Sequence, residues 1–202
     1  MPAHPASGEA ASAWVLRFAP YIRAGGRVLD LACGWGRHAR VLSELGFEVD
    51  AVDRDAQALE ALARMARVRV LVADLEGGPW PYPGARFDAV VVTNYLHRPL
   101  LPVLLDSLAE DGVLIYETFA RGNERYGRPS NPRFLLEPGE LLQATIGLRV
   151  LAYEDLYQDA PKPAMVQRIA AIRSQKSEVR GQMSEAAHAR FQPGPRPLSF
   201  DF

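Results

Sequence analysis

The residues best equipped to do chemistry are three aspartates and a pair of glycines. Asp30 precedes a glycine-rich turn, Cys33-Gly34-Trp35-Gly36, while Asp53 and Asp74 each close a short apolar run. Gly34 and Gly36 carry no Cβ, so the main chain there can bend sharply and let a bulky nucleoside-bearing ligand approach the start of the following helix. Asp30 is placed to accept from an ammonium group or to orient the turn. Asp53 is placed to accept both hydroxyls of a ribose, and Asp74 to accept from the exocyclic amine of a purine. Three carboxylates on consecutive strand ends form an acidic rim. Such a rim suits a ligand with a cationic amino-acid part and a neutral nucleoside, and it repels a pyrophosphate.

For the rim to exist, strands and helices must alternate. The apolar spacing predicts strands over Arg27–Ala32, Phe47–Val52, Val68–Ala73, Phe87–Thr93 and Val113–Thr118. Helices are expected over Arg37–Leu45, Asp55–Arg67 and Leu100–Leu108, with Gly46 at a C-cap position and Pro99 and Pro102 at the approach and first turn of the last. A leading helix over about residues 8–23, clearest from Ala11 to Ile22, is closed by Pro20 and Gly25-Gly26. The alternation predicts an α/β fold with a parallel sheet. Beyond the fifth strand lies a polar segment, Ala120–Arg133, of the length that usually marks a lid or disorder, then a short helix opened by Pro138. Leu148–Tyr157 and Ala164–Ile172 then read as an antiparallel hairpin. Residues 1–173 are expected to form one domain, and 174–202 a polar, mobile tail or a clasp for a partner through Phe191, Phe200 and Phe202.

Composition narrows the function class. The 202 residues carry 23 Lys+Arg against 24 Asp+Glu, a formal charge of -1, which offers no general attraction for a phosphate backbone; no nucleic-acid partner is expected, and a small-molecule substrate is. The single cysteine, Cys33, excludes an intrachain disulfide framework, and no apolar run reaches the roughly 18 residues of a membrane span. Without a basic n-region followed by an apolar h-region, a cytoplasmic protein is expected, as a monomer or homodimer with no membrane partner and no metal.

The motifs VLDLACGWGRHA (Val28–Ala39), VDAVDRD (Val49–Asp55), VADL (Val72–Leu75) and FDAVVVTNYL (Phe87–Leu96) together resemble the class I S-adenosylmethionine-dependent methyltransferases, over roughly residues 10–173. The resemblance implies a three-layer αβα sandwich around a seven-stranded, mostly parallel, doubly wound sheet with an antiparallel C-terminal strand. It implies S-adenosyl-L-methionine as cofactor and S-adenosyl-L-homocysteine as product. Family roles put Asp30 near the methionine amino group, Ala32, Gly34 and Gly36 around methionine and ribose, Asp53 on the ribose hydroxyls, Asp74 and Leu75 on adenine, and Asn94 at the methionine end. Cys33, His38 and Arg54, inside or beside these motifs, complete the cofactor-binding set. Tyr116–Leu141 resembles the small bacterial branch that includes the tellurite-resistance and thiopurine-type methyltransferases.

Other readings stand beside these. Gly34, Gly36 and Ala39 also spell the GxGxxA of dinucleotide binding, so the glycines alone do not separate methyl from hydride transfer. Asp30 could simply cap the turn, and Cys33 more readily packs than reacts. Asp55 is a better helix cap than Asp53, which leaves Asp53 freer for a ligand. His97, Tyr95 and Glu117 are the candidate catalytic residues, with Glu117 rather than Tyr116 expected to face the cavity. Methyl transfer is an in-line displacement at activated carbon, so no strong base is obligatory. Arg121, Arg125, Arg128 and Arg133 form a solvated loop face, from which Arg121 or Arg128 could steer an anionic substrate. A non-catalytic cofactor-binding subunit and a protein or nucleic-acid methyltransferase are the alternative functions.

Overall fold

In the computed structural model, residues 10–174 are described. Seven strands, β1 (Arg27–Leu31), β2 (Glu48–Asp53), β3 (Val68–Val72), β4 (Phe87–Thr93), β5 (Leu108–Phe119), β6 (Arg149–Gln158) and β7 (Ala164–Ile172), form one sheet in the order β3-β2-β1-β4-β5-β7-β6. β1 to β5 pair in parallel, and β7 runs antiparallel to both of its neighbours. That is the expected doubly wound sheet with a reversed strand near its C-terminal edge.

Helices α1 (Ala13–Phe18), α2 (Arg37–Glu44) and α3 (Ala56–Glu60) share one core with Val28, Val49, Val91 and Ile115. Helices α4 (Leu101–Asp106) and α5 (Glu140–Ala144) share the other with Leu29, Val90, Leu114 and Tyr116. Both faces of the central strands are covered, which is why β1 and β4 read as nearly continuous apolar runs rather than as an alternation. Between β3 and β4 no helix forms. The proline- and glycine-rich stretch holds Trp80 and Tyr82 against the second core instead, with the Trp80 Nε1–H donating to the Tyr82 carbonyl at 3.1 Å.

Several expected boundaries shift. The leading helix is only Ala13–Phe18, capped by the Ser12 hydroxyl, which accepts from the Trp14 amide; a 3-10 turn over Ala19–Tyr21 follows where Pro20 forbids a further α-helical bond. The helix expected over Asp55–Arg67 stops at Glu60. The chain then tightens, with Leu62 N–H bonding to the Leu59 carbonyl and Met65 N–H to that of Leu62. This tightening carries the fully buried Leu62 beneath the glycine turn. Leu108, expected at a helix end, begins β5, whose register with β4 shifts between Phe87 and Ala89. Helix α5 starts at Glu140, after Gly139 in the left-handed region at φ 74°. The proposed tail and its three phenylalanines, Phe191, Phe200 and Phe202, lie outside the described residues, as does the start of the expected leading helix.

The segment after β5 is not an open loop. Ala120 bridges to Leu136, Arg121 N–H donates to the Leu136 carbonyl at 3.0 Å, and the buried Asn123 side chain donates to the Pro129 carbonyl and accepts from the Met165 amide. Arg98 grips its far end: the guanidinium bonds both oxygens of Glu140 and the carbonyls of Arg133 and Leu135.

Gly36 is the tightest contact of the first turn. A Cβ there would lie 2.2 Å from Leu62 Cδ1, in a left-handed residue at φ 71°. Because Leu62 is buried and has no room to withdraw, Gly36→Ala is expected to lower unfolding free energy by roughly 2–4 kcal/mol, combining overpacking with backbone strain. Urea denaturation of the variant beside wild type measures it.

Candidate active site

Beyond β1 the strand order reverses, β2 and β3 lying to one side and β4 and β5 to the other, so the crevice of the sheet opens past the carboxyl ends of β1 and β4. The turn that lines it alternates in hand: Ala32, Gly34 and Gly36 take φ of 51°, 53° and 71°. Cross-strand bonds hold it. Cys33 N–H donates to the Val52 carbonyl at 3.1 Å, and Gly34 N–H to Asp53 Oδ2 at 2.8 Å. A Cβ on Gly34 would meet nothing within 4 Å, so this side of the turn faces open space.

The three aspartates stand at three adjacent strand ends but in different settings. Asp30 is 1% exposed, and its Oδ2 is buried with no hydrogen-bond partner. Burial pushes its pKa up to about 7, against the opposing pull of the Ala39 amide and the Arg37 charge. Asp53 is not free, contrary to expectation: besides Gly34, it accepts from the Asp55 amide on Oδ1 at 2.9 Å. Asp55 does cap α3, accepting from Gln57 and Ala58. Each oxygen of Asp53 keeps one further lone pair. Asp74, two residues past β3, is exposed and accepts from the Glu76 amide at 3.0 Å; bonds from the Glu76 and Gly77 amides hold its pKa below the usual carboxylate value, helped by the charges of Arg54 and His97.

Asn94 leaves β4 in the left-handed region at φ 54°, its amide donating to the Glu117 carbonyl, and Tyr95, Leu96 and His97 follow. Arg54 and His97 both act on Asp74, and the Tyr95 hydroxyl feels Glu76, Asp74, Arg54 and Asp53. Leu75, nearly buried, joins the second core beside Tyr95. The fold therefore gathers Asp30, Ala32, Gly34, Asp53, Arg54, Asp74, Leu75, Asn94, Tyr95 and His97 along one edge of the sheet.

Three of the expected site residues serve other contacts. His38 is buried behind the turn: Nε2 accepts from the Ser12 amide at 3.1 Å, so the neutral ring carries its proton on Nδ1, which faces Thr93 Oγ1 at 3.3 Å. Burial and the Arg37 charge push its pKa down to about 3, and no ring nitrogen is left for a ligand. Cys33 packs beneath the turn, its thiol pKa raised by burial and by Asp30 and Asp53. Glu117 does not stand free in a cavity. It faces α1, Oε1 accepting from the Ser12 hydroxyl at 2.8 Å and Oε2 from Arg168 at 3.1 Å. Tyr116 points to the opposite core, as strand alternation requires, and donates to the Tyr95 carbonyl at 2.8 Å.

Sequence reasoning missed Ser12, Thr93, Arg168 and Arg98. Arg168 pairs with Glu117, approaches Glu154 at 3.0 Å and lies 5.4 Å from the Trp14 ring centroid, which fastens α1 over β5, β7 and β6. Ser12 was legible as a cap, since it stands just before the apolar run of α1; the long-range partners carry no local signal.

A family profile described as a methyltransferase domain matches residues 28–110. A protein-L-isoaspartate O-methyltransferase of Gloeobacter violaceus is 41% identical over 101 residues, covering 46% of this chain and 47% of its own. The chain thus spans about half the length of the curated relatives it matches. Among solved structures, TehB from Haemophilus influenzae superposes with a TM-score of 0.68 at 17% identity, over 81% of this chain and 63% of that one. A TehB-like SAM-dependent methyltransferase from Corynebacterium glutamicum gives 0.60 at 19%, over 85% and 91%. Residues 28–110 thus match a methyltransferase domain, and the described chain shares the seven-stranded fold of these solved structures.

Proposed function

We propose that this chain is an S-adenosylmethionine-dependent methyltransferase acting on a small-molecule acceptor. The supporting observation is Asp30 Oδ2, a buried carboxylate oxygen without a partner, beside a turn whose Gly34 opens to empty space. A native fold rarely leaves such an atom unpaired, and an ammonium group satisfies it in both charge and hydrogen bonding. When bound, the cofactor supplies a methyl group made electrophilic by its sulfonium. Asp30 holds the amino end and keeps it oriented by the turn. Asp53 offers its remaining lone pairs to the ribose hydroxyls, Asp74 and Leu75 take the adenine, and Asn94 bounds the methionine end. The chain's contribution to rate is then alignment and exclusion of water.

A thiolate or other soft anion needs no base in this site. For an oxygen or nitrogen acceptor, His97 is the group available to take the proton, because Glu117 is tied to Ser12 and Arg168. The near-neutral charge favours a small acceptor over nucleic acid. A second reading, methylation of a protein carboxylate, is favoured by the likeness to protein-L-isoaspartate O-methyltransferases over half the chain.

Isothermal titration is expected to show S-adenosylmethionine binding and no NADH binding; the reverse would overturn the cofactor assignment. Tritiated methyl donor incubated with cell extract and separated by size is expected to label the low-mass fraction. Label confined to protein would replace the small acceptor with the second reading.

Asp30 makes both stability and binding pH-dependent. Its folded pKa, about 7, lies above the ordinary aspartate value of 3.8, so the folded state holds the extra proton between these values. Stability of the free protein therefore falls as pH rises from about 4 to 7 and is level above. Asp30→Asn is expected to be more stable than wild type at pH 8, by on the order of 1–4 kcal/mol, and to lose this advantage at pH 4, as read by denaturant melts at the two pH values. A ligand ammonium favours the ionised carboxylate, so affinity for S-adenosylmethionine should strengthen as pH rises through 7 in wild type and not in the variant.

A further inference from the structure

Tyr95 is one of the candidate catalytic residues. Two bonds fix the segment that carries it: the Asn94 amide donates to the Glu117 carbonyl, and the buried Tyr116 hydroxyl donates to the Tyr95 carbonyl at 2.8 Å. Asn94 takes the left-handed φ of 54° that turns the chain back across the crevice. The Tyr95 ring packs on the core beside Leu75 and Leu96, and its hydroxyl is buried with no hydrogen-bond partner. Glu76, Asp74, Arg54 and Asp53 are near enough for their charges to act on that hydroxyl. Two of these, Asp53 and Asp74, are the carboxylates that the proposed function gives to the ribose and the adenine.

We propose that the Tyr95 hydroxyl is a ligand of the cofactor's nucleoside, donating its proton to a ring nitrogen or ribose oxygen between Asp53 and Asp74. The assignment rests on the proposed cofactor and adds to it a neutral donor among acceptors. Asp53 and Asp74 as carboxylates only accept, and a nucleoside presents acceptors as well as donors, so a site made of carboxylates alone would leave its acceptors unsatisfied. Burial and the neighbouring carboxylates raise the phenol's pKa, which keeps the proton on the oxygen and makes Tyr95 a donor rather than a base.

Tyr95→Phe removes the oxygen and keeps the ring. Calorimetry with S-adenosylhomocysteine and with adenosine is the test, with near-ultraviolet circular dichroism to verify that the variant is folded. Both ligands are expected to bind roughly three- to tenfold more weakly, the size of one lost neutral hydrogen bond, and KM for S-adenosylmethionine to rise while that for the acceptor does not. Wild-type affinities in the variant overturn the proposal. So does weaker homocysteine-nucleoside binding with adenosine unchanged, which would put the hydroxyl at the methionine end. If wild type itself binds neither ligand, the cofactor assignment fails and this one with it; if wild type binds and the variant binds equally, only the role of Tyr95 fails.

Discussion

A hydrogen bond from the Gly34 amide to the Asp53 carboxylate joins the ends of two neighbouring strands, and the crevice takes its shape from it. β1 and β2 lie side by side through their backbone ladder, but a ladder stops where the strands stop. Past that point one backbone bond, from the Cys33 amide to the Val52 carbonyl, and side chains hold the turn in register. Asp53 does this twice, gripping Gly34 across the gap and Asp55 along its own chain. The left-handed residues then follow from geometry: Ala32 and Gly34 must turn the amide toward Asp53, and Gly36 must let Leu62 close the turn from below.

One side-chain type is put to three uses along this edge, and solvent decides among them. Asp30 is buried and lacks a full set of partners, so its charge is costly until something cationic arrives. Asp53 is buried with partners on both oxygens and acts as a brace. Asp74 is exposed and held ionised by backbone amides, which keeps it an acceptor facing solvent. The opposite flank is built from ion pairs, since Glu117 and Arg168 are both largely buried and each needs the other. Removing Arg168 leaves the Glu117 carboxylate with only the Ser12 hydroxyl, a more damaging change than losing the pair together.

Much of this was readable from the residues. Strand positions followed from apolar runs such as those of β1 and β4, because burial on both faces leaves a composition signal. The turn and its aspartates were readable because glycine spacing and strand ends are local. Helix α3 was overextended because Leu59 and Leu62 keep helical spacing while the chain between them tightens to reach Gly36, a tertiary demand with no local mark. The partners of Glu117 are hidden for a similar reason. Alternation separates it from Tyr116 correctly, but which face is the cavity depends on where α1 packs, and that is decided by Trp14, Arg168 and Ser12 from distant parts of the sequence.

The segment between Ala120 and Leu136 leaves and re-enters the domain at adjacent points, clasped by backbone bonds at its base and by Arg98 at its far shoulder. Its ends are thus fixed independently of what lies between them. Between those ends the buried Asn123 ties the segment to Met165 of β7, so only its exposed residues can be lengthened at small closure cost without disturbing the sheet. The molecule is in this sense divided: the glycine turn is constrained by packing from Leu62 and by the Asp53 brace, whereas the segment after β5 is a separate excursion fastened at its two ends.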